Sequence, residues 1–253
     1  MASVLETTSA LAPTIAQRCA ADLGDPIEWI KPEHYRDSLA LCVIDSIQST
    51  RSHYTSVKNV LARYSDFRSD QGADATHDGV VDLLRSFDRI GGPDAWADGI
   101  GNRKPTSTNA GAPLKSAAIQ QVARILLDAE IEHAADLRST DTLAAIEAAW
   151  TATPGQRSGL TWSYLLMLTG AAVPGHDRLV ARYLARALDV APKELQPDDA
   201  DALLDGVAGQ CGFARIEFEY ALWRFESGRQ VVRDPVAAPD KSQSPSSSPS
   251  VSR

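Results

Sequence analysis

Asp177 follows a Pro-Gly break, "VPGH", and opens a segment that carries Arg178, Arg182 and Arg186 at four-residue spacing. A second Pro-Gly, at Pro154–Gly155 in "TATPGQRSG", lies 22 positions before Asp177. A carboxylate fixed at a cleft can stabilise positive charge developing on a substrate, or orient and deprotonate an attacking water. A glycine turn lets backbone approach a phosphate closely, and the N–H groups opening the next helix favour an anion. Each feature also has a plainer reading. Asp177 serves equally well as an N-cap, and helix, Pro-Gly turn and helix make an ordinary αα-hairpin.

These residues need helices to position them. "DTLAAIEAAW" reads as an amphipathic helix that Pro154, Gly155 and Gly159 interrupt, and "LTWSYLLMLTG" resumes helix. "EHYRDSLALCVIDSIQST" places Leu39, Cys42, Val43 and Ile47 on one face. Further helices are expected at roughly 54–65, 76–90, 113–130, 140–150, 159–170, 176–189, 197–209 and 214–227. Strand-like alternation is scarce, and the fold class expected is all-α with short connections. "GNRKPTSTNAGAP", residues 101–113, reads as a polar loop. The Pro/Ser-rich stretch 234–253 lacks the apolar bulk to offset its ordering entropy and is expected to be disordered.

The chain has 253 residues, 43% hydrophobic and 23% charged, enough for one sizeable core or a two-lobed domain. A net charge of -8 argues against indiscriminate nucleic-acid binding, yet leaves room for a local basic patch. Cys19, Cys42 and Cys211 have no metal-site spacing and imply no disulfide framework, so a reducing cytoplasm is the natural compartment. The N-terminus lacks a basic n-region and a clean apolar stretch, so no signal peptide is expected. "LTWSYLLML" falls well short of a bilayer span.

Taken together, "TPGQRSG", the apolar helix after it and Asp177 resemble the helix-hairpin-helix (HhH-GPD) superfamily of base-excision DNA glycosylases. Its members carry Leu-Pro-Gly-x-Gly, an apolar helix and then an essential Asp. A second segment agrees: "LALCVIDSIQST", with Ser46, Gln48 and Thr50, is similar to the family's hydrophobic run ending in Ser-Ala-Gln-x-Thr. The likeness spans roughly residues 35–190. It implies a two-lobed helical domain over 1–233, with a cleft between a central lobe (about 29–171) and a second lobe (about 1–28 with 172–233).

By the same resemblance, Asp177 is the catalytic carboxylate, and Gln48 fills the space a flipped base vacates. Gly155, Gln156, Arg157, Ser158 and Gly159 form the DNA-binding hairpin with Arg178 beside it, and Trp162 and Tyr164 wall a base pocket. Base removal builds oxocarbenium-like charge on the sugar, and one well-placed Asp suffices to stabilise it. On their own, Gln48 reads as a polar helix-end residue and Trp150, Trp162 and Tyr164 as core. Asn102, Arg103, Lys104, Arg51–His53 and His176 are lesser candidates. No cofactor is required. Family hairpins hold a monovalent cation at the phosphate, and Arg157 can replace it here. Double-stranded DNA is the partner implied, with no membrane, a monomeric state and a cytoplasmic, nucleoid-associated location.

The departures are specific. Arg157 takes the place of the second hairpin glycine. The Schiff-base lysine of bifunctional members would fall at Gly159 or Leu160, neither of which is an amine. The four-cysteine cluster loop of one branch is absent. The expected functions are, in order, a monofunctional DNA N-glycosylase, a non-catalytic helix-hairpin-helix DNA-binding protein, and an interaction scaffold that has kept the fold alone.

Overall fold

The computed structural model describes residues 4–31, 36–171 and 177–233; the Pro/Ser-rich stretch 234–253 lies outside the described residues, as do His176 and the Pro-Gly before it. The fold is all-α. Twelve α-helices form among the described residues: α1 (Val4–Leu23), α2 (Leu39–Gln48), α3 (Tyr54–Ser69), α4 (Val80–Ile90), α5 (Pro93–Gly99), α6 (Lys115–Asp128), α7 (Ala134–Ser139), α8 (Leu143–Ala152), α9 (Leu160–Thr169), α10 (Arg178–Ala187), α11 (Pro197–Cys211) and α12 (Arg215–Glu226). The only extended pairings among those residues are isolated bridges, Trp29 with Val232 and Pro105 with Leu114.

Local chemistry accounts for the helix ends. The Ser38 hydroxyl accepts from the Leu41 N–H and starts α2, and Asp177 does the same for α10. Gly91, at φ +103, closes α4, and Pro93 then opens α5 in a position where its missing N–H costs nothing. Three helices were not read from the sequence. α1 carries Pro13 inside it, and α5 and α7 are only seven and six residues long, too short for a clear periodic signal. The stretch expected as helix from 76 begins instead as a 3-10 turn, Ala75–His77, and becomes α-helical only at Val80.

Two sets of helices pack internally. α2 sits against α9, α6, α3 and α4, while α1 sits on α11 and α10 on α12. α2 and most of α9 are buried on every side, so they read as near-continuous apolar runs rather than amphipathic helices. One continuous buried core runs through both sets. Across the seam, Tyr164 of α9 stacks on Trp223 of α12 at 4.4 Å and on Tyr220 at 6.0 Å. The loop 101–113 does form, and it folds back on itself: Thr106 donates to the Pro113 carbonyl, and Lys115 to that of Lys104.

Candidate functional site

The segment between α8 and α9 makes two successive turns, with Gly155 at φ +84 and Gly159 at φ +72. Gly155 is required by a close approach to protein: a Cβ there would sit 2.5 Å from the Cβ of Thr106. Gln156 is buried, and its Oε1 accepts from the Thr161 hydroxyl at 2.7 Å. Thr161 Oγ1 in turn accepts from Trp150 Nε1 at 2.9 Å. Gln156 therefore stitches the turn to the core. Arg157 and Ser158 are exposed at the tip.

Asp177 caps α10, its Oδ1 accepting from Leu179 N at 2.8 Å and Val180 N at 3.1 Å. It also lines a cleft of about 390 Å³ with Arg157, Ser158, Trp162 and Arg178. Burial pushes its carboxyl above the ordinary value of 3.8, opposed by the two backbone N–H groups and then by Arg178 and Arg182. Arg178 ties helix to turn by donating to the Ser158 carbonyl at 3.2 Å. Trp162, buried and 5.5 Å from Trp150, forms part of the cleft wall.

Other expected residues do not join this cleft. Tyr164 is fully buried in the core and walls no base pocket, because its hydroxyl is engaged by Asp45 and Tyr220. Gln48 is buried too: its Oε1 accepts from Asn102 Nδ2 at 2.9 Å, and it lies beneath the α2–α3 turn rather than on a surface. The arginine stripe is only partly free. Arg182 and Arg186 both pair with Glu226, whose side chain is 8% exposed. Arg103 is engaged by Asp98 and Asp94.

On the other side of the turn lies a larger cleft of about 740 Å³, which shares Arg157, Ser158 and part of the approach to α9. Arg51, His53, Arg157, Arg224 and Arg229 line it, and no carboxylate does among the described residues. Among the described residues, none of those four arginines forms an ion pair, and the ion pairs that do form lie elsewhere. Beneath the turn after α2, the buried Lys115 donates from Nζ to the Gln48 carbonyl at 2.9 Å and the Ser52 hydroxyl at 3.0 Å, and to the Thr50 carbonyl. Burial, then the like charges of Lys104, Arg229 and Arg51, lower this amine to about 7.

The matching family model spans residues 13–227 and is described as a domain of unknown function, DUF8548. The chain belongs to this family. No curated protein and no solved structure matches it.

In this DUF8548 chain a buried polar relay holds the back wall of the large cleft. Arg224 Nη1 donates to the Tyr220 hydroxyl at 3.0 Å, Tyr220 and Tyr164 hydroxyls meet at 2.7 Å, and Tyr164 donates to Asp45 Oδ2 at 3.1 Å. Each phenol has one proton, so every donor in the chain points from cation to carboxylate. Arg229 lies over the rings of Trp223 (4.4 Å) and Tyr164 (5.2 Å). Sequence reasoning missed Asp45, Lys115, Arg224 and Arg229. A usable signal was present: Asp45 in "LCVIDSI" and Arg224 in "YALWRFE" are ionisable groups inside apolar helical runs, where burial demands a partner.

Proposed function

We propose that this protein binds DNA along the 153–159 turn and hydrolyses an N-glycosidic bond at the Asp177 cleft. The observation that carries the reading is the Asp177 carboxylate itself. One oxygen is fixed by two backbone N–H groups, and the side chain shares its cleft with an indole, Trp162, and two exposed guanidinium groups, Arg157 and Arg178. The resemblance of this segment to base-excision glycosylases supports it further.

In this mechanism Arg157 and Arg178 hold phosphates on either side of an extruded nucleotide. As the C1′–N bond breaks, the base leaves with the bonding electron pair, and Asp177 stabilises the sugar cation. A water, oriented by the same carboxylate, gives its proton to Asp177 and forms the new C1′–O bond. Strand cleavage is no part of the reaction, because the position where bifunctional base-excision glycosylases carry their imine-forming lysine is not an amine here.

The test uses duplexes carrying oxidised, alkylated or deaminated bases, with alkali revealing abasic sites. The wild type is expected to generate them, and Asp177→Asn to lose at least about a hundredfold in rate while keeping its N-cap and its affinity. A broad lesion panel left intact by the wild type refutes hydrolysis. One observation favours a second reading, non-catalytic DNA binding: both backbone bonds of Asp177 are those of a helix cap. That reading expects salt-dependent binding, indifferent to Asp177→Asn, with no abasic product.

A further inference from the structure

Of the cations of the large cleft, hydrolysis at Asp177 uses only Arg157. Four guanidinium groups, Arg51, Arg157, Arg224 and Arg229, converge on it without a carboxylate in its wall among the described residues. Like charges gathered this way repel one another, so the cleft stores an unbalanced positive field that a bound anion would relieve. Asp45 stands behind the wall, joined to Arg224 through two tyrosines.

A second observation is independent of charge. Three buried polar atoms of lining residues, Thr50 Oγ1, Thr106 Oγ1 and Arg229 Nε, have no hydrogen-bond partner among the described residues. All three can donate, and buried donors are normally satisfied. They lie just behind the cleft surface and leave polar capacity unused in its wall.

A third concerns Arg51, which holds φ +51 in the turn after α2. That left-handed position is one glycine or asparagine usually fills, and other residues occupy it at a cost of about 1 kcal/mol or more. Arg51 is exposed, forms no ion pair among the described residues, and faces the cleft. Val57 and Leu160 add apolar wall, and a volume of about 740 Å³ exceeds what a bare ion needs.

We infer that this cleft binds a terminal phosphate, a phosphate monoester borne by a nucleotide, through Arg51, Arg157, Arg224 and Arg229. A dianionic group with three acceptor oxygens matches several convergent donors, and guanidinium forks suit it best. The monoester comes either from a free nucleotide or from a strand end. The site stands whether or not Asp177 is catalytic.

Isothermal titration of the full chain tests this with thymidine 5′-monophosphate against thymidine. The monophosphate is expected to bind at least about tenfold more tightly, and more weakly as salt rises. Arg51→Gly relaxes the backbone while removing the cation, so it should melt no lower than the wild type yet lose about tenfold in affinity for the monophosphate. Arg157→Ala, at an exposed position, should lose a similar factor. An oligonucleotide with a 5′-phosphate is then compared with its 5′-hydroxyl twin: tighter binding of the former names the strand end as source, and equal binding names the free nucleotide. Asp177→Asn should leave binding of the monophosphate unchanged, which separates this site from hydrolysis. The inference is overturned if thymidine and its monophosphate bind alike, if neither binds, or if the Arg51→Gly/Arg157→Ala double variant binds the monophosphate as the wild type does.

Discussion

Asp177 shows how one residue can answer to two demands. Its Oδ1 closes the open N–H groups of α10, and the same bonds hold the carboxylate at a cleft edge. Burial is the largest influence on it and raises its pKa. Hydrolysis by the mechanism above needs the ionised form, so the rate should climb with pH as Asp177 loses its proton. A pH–rate profile should place that acid limb above the ordinary aspartate value of 3.8; a limb at or below it would remove Asp177 from the role. Gly155 makes the contrasting point. The sequence offers it as a phosphate-cradling glycine, but its backbone presses on Thr106. Gly155→Ala should therefore cost about 2 kcal/mol or more in urea unfolding, from the clash and the positive φ together. A loss of DNA affinity with unchanged stability would return the glycine to the phosphate.

At the scale of the element, the 153–159 turn and α10 divide the cations. The i, i+4, i+8 spacing put Arg178, Arg182 and Arg186 on one face of α10, and helical geometry guarantees that much. What the face meets depends on α12, which brings Glu226 against Arg182 and Arg186 and leaves Arg178 on the turn. Arg157→Ala should thus shallow the salt dependence of DNA binding by about one unit, while Arg182→Ala should leave the slope where it is. Measured slopes in the opposite order would mean that α10 and not the turn tracks the backbone.

For the whole molecule, the relay from Arg224 through Tyr220 and Tyr164 to Asp45 joins α12 to α9 and α2 across the seam between the helix sets. It anchors Arg224 at the wall of the large cleft by a hydrogen bond from its guanidinium to Tyr220. Tyr164→Phe keeps the ring stack on Trp223 but cuts the relay, leaving a buried phenol and a buried carboxylate each one partner short. The expected cost is about 1–3 kcal/mol in thermal or chemical unfolding, with weaker nucleotide binding. Stability equal to that of the wild type would show that the relay is dispensable to the core.

The sequence alone determined the all-α class, most helix positions and the Asp177 cap, because apolar periodicity, glycine breaks and capping chemistry act over a few residues. It also singled out Arg157, exposed at the tip of its turn, from the missing hairpin glycine. Only the tertiary structure decided which polar residues face a cleft. Tyr164, Gln48 and Gln156 look available in the chain but are consumed by partners up to 119 positions away. Arg224 and Arg229, buried or half-buried near the chain's end, reach a cleft built from the α2–α3 turn and the 101–113 loop. Which side chain remains unpaired depends on distant helices meeting, and local spacing carries no record of that.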